Sequence, residues 1–304
     1  MMVGVRALLL SLVVVGCSDN ATISDGPCSL TEPCGATAVC DFTAPEGPTC
    51  IPIDGDLDGD GLANDKDFCQ HQDGGAFDED TDGIGDDCDR CPIAPPRSTP
   101  DTDTDMVDAP CDPAPTTDGD EILLFDGFQN GLDARWMATT ASAWNVQGGE
   151  MIATLSGVPD QEFMKTNVVG KNTIAVEASF RVDKVETSAS RHLVGVFAND
   201  PRPAGVADMA CYVTKADATP NSELVVVETN QGAMNKATTE AFNSANIYRA
   251  GATASGTRAG CVVLSNGNPL GAVQATITAD QLSQVGLTAH ATSVRYQYVL
   301  VVGH

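Results

Sequence analysis

Ten short apolar runs after Glu121, no helical period between them, and an Asp-rich, Cys-punctuated stretch ahead of them predict a mainly β chain. The expected architecture is a C-terminal jelly-roll β-sandwich preceded by an irregular, disulfide-linked repeat segment. At 304 residues there is room for one full sandwich and smaller modules beside it. The formal charge of −26 is unevenly spread. Residues 1–120 hold 26 of the 42 acids with four bases (Arg6, Lys66, Arg90, Arg97), whereas residues 121–304 hold 16 acids and 12 bases. Two regions with different work are implied. Nucleic acid is excluded as a partner, since no basic face is visible. Divalent cations are the natural counter-ions of such a surplus.

Taken in order, residues 1–16 read as a targeting segment. Arg6 supplies the positive start, and Ala7 to Val15 form an apolar core about half the length of a membrane span. The run ends in Val14-Val15-Gly16-Cys17 before the polar Ser18-Asp19-Asn20, and this resembles a bacterial lipobox. The resemblance implies a lipidated Cys17, a membrane anchor through the N-terminal lipid, and a secreted, lipid-anchored protein at the bacterial outer membrane or cell surface. An ordinary secretory signal with an incidental cysteine is the alternative. Residues 17–27 are a polar tether. Setting Cys17 aside leaves ten cysteines, an even number suited to five disulfides in an oxidising compartment.

Residues 28–53 carry four cysteines in CSLTEPCGATAVCDFTAPEGPTC, too short a stretch to bury a core without cross-links. The spacing, CGATAVC above all, resembles the first four cysteines of an EGF-like domain. That implies Cys28–Cys40 and Cys34–Cys50. The last two cysteines of that family are not at their usual place, so the module is truncated or divergent; a generic disulfide-knotted spacer is the other reading.

Residues 54–120 contain 20 Asp, one Glu and three bases. A merely solvated linker would use Glu freely, and the positions of the aspartates are periodic. DLDGDGLANDKD (56–67) places Asp56, Asp58 and Asp60 at loop positions one, three and five, Gly61 at six and Asp67 at twelve. DEDTDGIGDDCD (78–89) repeats this with Asp78, Asp80, Asp82, Gly83 and Asp89. DTDTDMVDAPCD (101–112) keeps Asp101, Asp103, Asp105 and Asp112 but has Met106 in place of glycine. The offsets of 22 and 23 residues make this an internal repeat. Alternate short carboxylates on a tight loop converge on one point, and Ca²⁺, a hard cation, takes six to eight oxygens. Backbone carbonyls at position seven (Leu62, Ile84) would add an oxygen each, and Asp54, Asn64 and Asp86 complete the candidate set. The loop resembles that of an EF-hand with Asp at position twelve, but Pro92, Pro95 and Pro96 exclude a helix after the second loop. The third loop is expected to bind weakly or not at all.

Cys69 and Cys91 lie two residues past position twelve, and Cys88 and Cys111 occupy position eleven. With these phases, DTDGIGDDCDRCP (80–92) resembles a thrombospondin type 3 repeat. The resemblance covers about 60 residues and implies Cys69–Cys88 and Cys91–Cys111, with a chain wrapped around calcium and little regular secondary structure. A zinc or redox role for Cys88-Asp89-Arg90-Cys91 lacks a second pair of ligands. A dockerin-like module would need helices after each loop.

From Glu121 the runs EILLFDGF, EMIATLSG, TIAVEASFRV, HLVGVFAN, ACYVTK, ELVVVET, CVVLSN, AVQATIT, VGLTAH and VRYQYVLVVG read as strands of a sandwich over 121–304. Cys211 and Cys261 are the pair left over and imply a sandwich disulfide. The opening FDGFQNGLDARW, the turn and strand AWNVQGGEMIATLSG, and the closing VGLTAHATSVRYQYVLVV resemble the concanavalin A-like (laminin G-like) superfamily. That superfamily holds lectins, adhesion modules and glycoside hydrolases, so function must come from the site. Its hydrolases carry Glu-x-Asp-x-x-Glu or close to it on one strand, and nothing similar occurs here. Glu177, Asp183 and Glu186 are spread, Asp160-Gln161-Glu162 reads as a loop, and His192 and His290 read as isolated, so the chain is expected not to be an enzyme. Trp136 and Trp144 read as core, and Arg181, Arg191 and Arg295 as strand-face residues without an assignable partner.

The leading expectation is a calcium-binding surface lipoprotein that displays the sandwich on a calcium-stabilised stalk for adhesion, with a glycan or extracellular matrix protein as partner. The order of modules also resembles the C-terminal part of thrombospondins. The rivals are a carbohydrate-active enzyme and a purely structural envelope protein.

Overall fold

The computed structural model describes residues 26–95, 101–155, 161–186, 192–199, 209–215, 223–229, 231–237, 242–278 and 282–304. Cys17, Arg191, Asp160 and the signal segment lie outside them. A hairpin of β1 (Ala38–Asp41) and β2 (Thr49–Pro52) comes first. From Ile53 to Asp120 the described chain has no strand or helix. It then runs through β3 (Glu121–Asp126), β4 (Met137–Ala138), β5 (Trp144–Val146), β6 (Met151–Thr154), β7 (Glu162–Lys171), β8 (Thr173–Val185), β9 (Leu193–Ala198), β10 (Met209–Lys215), β11 (Glu223–Thr229), β12 (Gly232–Ala237), β13 (Tyr248–Ser255), β14 (Arg258–Ser265), β15 (Asn268–Thr276), β16 (Leu282–His290) and β17 (Thr292–Gly303). The expected mainly β sandwich is present.

Two antiparallel sheets face each other. One has the order β12-β11-β10-β9-β16-β7-β4, and the other β15-β14-β13-β8-β17-β6-β5, with β3 also paired to β17. Alternation sets which side chains meet between them. On β14 these are Ala259, Cys261 and Val263; on β13 they are Tyr248, Ala250, Ala252 and Ala254. On β17 Val294 and Tyr296 point inward, a register shift between Tyr296 and Tyr298 breaks the alternation, and Val299 and Val301 point inward after it. Phe180 fills the centre, its ring 5.7 Å from Tyr248 and 5.6 Å from Tyr296. Cys211 of β10 is bonded to Cys261 of β14, so a fully buried disulfide staples one sheet to the other. Trp136 and Trp144 are buried core residues, as expected; the Trp136 indole N–H donates to Asp126 Oδ2 at 2.7 Å.

The structure corrects several expectations for this half. β7, β12 and β13 are strands that the apolar runs did not reveal. Glu162 is not in a loop: it opens β7, is buried, and accepts hydrogen bonds from the hydroxyls of Thr139 and Thr140. His192 is not isolated, since its ring packs 5.6 Å from that of Phe242. Arg181 and Arg295 do have partners, in Glu150 and Asp183.

The acidic segment is not a free-standing stalk. Val107, Cys91 and Cys111 form an apolar cluster with Leu300 and Val302 on the outer face of the eight-stranded sheet, flanked by Ile93, Ala94, Ile122 and Phe125. Without that cover Leu300 and Val302 would meet water, and burial of such side chains is favourable by about 1.5–3 kcal/mol each. The β1–β2 hairpin in turn sits on the first two acidic loops. His71 Nε2 lies 2.9 Å from the buried carboxylate of Asp41, and the Phe42 ring approaches Gly83 so closely that a Cβ there would stand 2.5 Å from it. No helix among the described residues is long and apolar enough to cross a membrane.

Candidate metal centre

Each acidic loop is folded by its own carboxylates. In the first, Asp56 accepts from the backbone N–H of Gly59 (2.8 Å) and Gly61 (3.2 Å), Asp58 from Asp60 (3.1 Å), and Asp60 from Leu62 (2.7 Å). The second repeats the scheme: Asp78 accepts from Gly83 (2.8 Å), Asp80 from Asp82 (3.1 Å), and Asp82 from Ile84 (2.8 Å). In the third, Asp101 accepts from Met106 (2.9 Å) and Asp105 from Val107 (3.0 Å). Short Asp side chains make such turns because their oxygens reach the backbone two to five residues on.

Position six needs a left-handed backbone, with φ of 100° at Gly61 and 91° at Gly83. Met106 adopts the same conformation at 79°, with its side chain 63% exposed. The third loop therefore keeps the turn of the other two despite its lost glycine. The cost is backbone strain of about 1–2 kcal/mol, with the side chain mostly in solvent and its sulfur 3.8 Å from the Arg90 guanidinium.

These turns bring carboxylate oxygens together. One carboxylate oxygen from each of Asp56, Asp58 and Asp60 lies within 4.8 Å of the others, and the same holds for Asp78, Asp80 and Asp82, for Asp101, Asp103 and Asp105, and for Asp105, Asp112 and Asp120. At position twelve, Asp67, Asp89 and Asp112 each give one oxygen to a backbone N–H two residues on. Their second oxygens are buried without a hydrogen-bond partner, as are Asp58 Oδ2, Asp80 Oδ2 and both oxygens of Asp103 and Asp120. Burying ionised carboxylates without donors is strongly unfavourable unless an opposite charge compensates.

The electrostatics record the same strain. Burial first, then the charge of Asp82, pushes Asp80 up to about 7. Burial also lifts Asp89 to about 7, with Asp82 and Asp80 adding to it against the Cys91 N–H. Asp86 reaches about 7 by burial, opposed by the Glu79 N–H and reinforced by the Glu79 charge. Asp112 and Asp120, facing each other, are both raised, burial being the largest cause.

Not every candidate joins a triad. Asp54 is exposed and outside them. Asn64 braces the first loop instead: its amide donates to Pro52 O at 2.8 Å and its oxygen accepts from Leu57 N–H at 3.1 Å. Asp86 performs the equivalent task for Glu79 N–H at 2.8 Å. Leu62 and Ile84 sit at the turn, where their N–H groups are held by Asp60 and Asp82. Asp120 was missed, because in sequence it is one more aspartate in an acidic run. The triads of aspartates offer oxygen alone. The clustered Cys28, Cys34 and Cys50 offer no thiolate, since all three are in disulfides. Oxygen-only donors on flexible loops fit calcium.

The structure joins Cys28 to Cys40, Cys34 to Cys50, Cys69 to Cys88 and Cys91 to Cys111, the pairs implied by the sequence resemblances. On the sandwich, Glu150 and Asp183 both engage Arg295, whose Nε is 2.5 Å from Asp183 Oδ2 and whose Nη1 is 3.2 Å from Glu150 Oε2. Their separation in sequence concealed this grouping.

No family model matches the chain, and no curated protein matches it. Solved structures similar to it are jelly-roll sandwiches. They include a seed lectin of Lotus tetragonolobus (12% identity, TM-score 0.42, covering 56% of this chain and 93% of the lectin). A β-glucanase of Bacillus licheniformis gives 11% identity and a TM-score of 0.44, over 59% of this chain and 96% of the enzyme. The catalytic domain of an endo-1,3-β-glucanase (laminarinase) of Thermotoga petrophila gives 8% and 0.43, over 61% and 98%. The likeness is one of fold. It also corrects the expectation that the chain is not an enzyme: glucanases share this architecture with the lectin, and the exclusion drawn from sequence does not stand.

Proposed function

We propose that this chain is a calcium-binding surface protein whose sandwich engages carbohydrate. The observation that carries the calcium reading is the convergence of aspartate carboxylates in threes, together with buried oxygens of Asp58, Asp80, Asp103, Asp112 and Asp120 that no N–H or hydroxyl donor reaches among the described residues. Calcium, when bound, supplies the positive charge that these groups lack. The chain's own residues do the rest: Gly61, Gly83 and Met106 allow the turns, and the N–H groups of Leu62, Ile84 and Val107 fix the fifth-position aspartates in place within them. Modules of this kind outside the cell bind with dissociation constants of about 10⁻⁴–10⁻³ M, and occupancy favours the ordered loops by mass action.

The carbohydrate reading is supported by the jelly-roll architecture and by the concanavalin A-like pattern of residues 121–304. Anchoring through a lipid on Cys17, and a role in adhesion, extend the reading on the strength of the lipobox and the thrombospondin-like order of segments. Isothermal titration of the disulfide-intact protein with Ca²⁺ should show binding at millimolar concentrations, and silence there sinks the calcium reading. A glycan array and a polysaccharide hydrolysis screen, each run with calcium and with chelator, test the sandwich. A blank array together with no turnover removes carbohydrate as its ligand.

A further inference from the structure

We infer that Asp120 joins Asp105 and Asp112 in holding a divalent cation that clamps the third acidic loop to the sandwich. The inference rests on the calcium reading above and extends it to a residue and a position outside the repeat pattern. Oxygens of the three carboxylates lie within 4.8 Å of one another, and the group shares Asp105 with the cluster of Asp101, Asp103 and Asp105.

The independent observation is Asp120 itself. Its side chain is fully enclosed (0% exposed), yet among the described residues its oxygens face another carboxyl, that of Asp112, and no N–H or hydroxyl donor comes within hydrogen-bond length. His304 Nδ1 stands 3.6 Å from Asp120 Oδ1, beyond hydrogen-bond length, with its ring against Gly119. One imidazolium could offset a single charge, whereas Asp105, Asp112 and Asp120 bring three and Asp103 beside them a fourth. Asp103 and Asp112 also have buried oxygens without a donor. A hard dication with several oxygen ligands is the group that this arrangement lacks.

The first loop lacks this ligand. The N–H of Gly74 donates to Asp60 Oδ2 at 2.9 Å, and the N–H of Asp120 donates to Asp105 Oδ2 at 2.8 Å. The two residues hold the same station, but Gly74 has no side chain to contribute. Asp120 also leads directly into β3, which pairs with β17, and Asp112 follows Cys111 in the apolar cluster on Leu300 and Val302. A cation held by both would therefore tie the loop to the eight-stranded sheet.

The test uses the full disulfide-bonded chain, with Ca²⁺ as the probe. The wild type should show a rise in the sandwich's melting temperature on adding calcium. Asp120→Asn should bind one calcium fewer and lose most of that rise, whereas Asp58→Ala should lose binding in the first loop and keep the rise. An Asp120→Asn protein with the full complement of ions and an unchanged rise overturns the inference. A crystal of the wild type soaked in Tb³⁺ gives a readout that does not depend on how the variant folds. An anomalous peak among Asp105, Asp112 and Asp120 is expected; peaks in the first two loops with none there overturn the inference and leave the calcium reading standing. Absence of binding to any loop removes both.

Discussion

The backbone N–H of Asp120 donates to Asp105 Oδ2 at 2.8 Å, so the residue before β3 is held by the fifth position of the third acidic loop. The acidic segment and the sandwich thus share a seam. Below it lie Val107 and Cys111 against Leu300 and Val302; at its other end Phe77 and Asp86 meet Phe125 and Gln129 around a small cavity.

Met106 is the point where strain can be released. Replacing it by glycine removes the Cβ that makes φ of 79° unfavourable, at the cost of a more flexible unfolded chain. Met106→Gly should raise stability by about 1 kcal/mol, read from urea unfolding of the calcium-free protein. A destabilised variant would show that the turn is held by something other than local backbone preference.

Protons and calcium should compete. Without metal, Asp80, Asp86 and Asp89 sit at about 7, against 3.8 for an ordinary aspartate. The folded chain then holds protons that the unfolded chain releases. Their contribution to stability is fully present below about pH 4 and is lost as pH rises through about 7. The chelated protein should melt at a higher temperature near pH 5 than near pH 8 on this account. Calcium affinity should change in the opposite sense, strengthening as those carboxylates lose their protons. Affinity that is flat over the same range would contradict the assignment.

Much of this was legible in the sequence, and the exceptions have physical causes. The acidic loops were readable because aspartate at alternate positions, glycine at six and cysteine at fixed phase are all demanded by one geometry. Ten of the sandwich strands showed through their Val, Ile, Leu and Phe content. β13 did not, because its inward positions are Ala250, Ala252 and Ala254, small side chains that suit a close approach of the sheets but give little strand signal. β7 was hidden for another reason. Phe163 and Met164 are both buried, one on each face, and the polar Lys165, Thr166 and Asn167 follow at once, so no alternation appears. Asp120 carried no mark in sequence because its role depends on the station it shares with Gly74, a correspondence visible only in three dimensions.

The disulfide Cys91–Cys111 closes a span of 20 residues that includes most of the third loop. Replacing both cysteines by serine should cost about 3 kcal/mol by relaxing the unfolded chain, more if the apolar cluster on Leu300 loosens as well. Chemical denaturation of the calcium-free double variant checks this; an effect below about 1 kcal/mol would mean that the cluster alone fixes the loop.

Phe180 has no exposure and lies between Tyr248 and Tyr296. Phe180→Ala should destabilise the sandwich by about 3–5 kcal/mol, with loss of the near-ultraviolet circular dichroism of its tyrosines. If calcium titration of that variant in its folded state is unchanged, the acidic loops keep their shape without an ideally packed core.

The position of β17 bears on how the molecule assembles. This strand is the latest of those described, yet it lies inside the eight-stranded sheet, with β8 along one edge and β6 and β3 sharing the other. It also supplies Leu300 and Val302, the floor on which the third acidic loop rests. Neither the sheet nor the seam can close until β17 arrives, however early the preceding segments are made. Contacts so distant along the chain fold slowly, and a refolding experiment should find docking of the acidic segment and closure of the sheet in a single late phase.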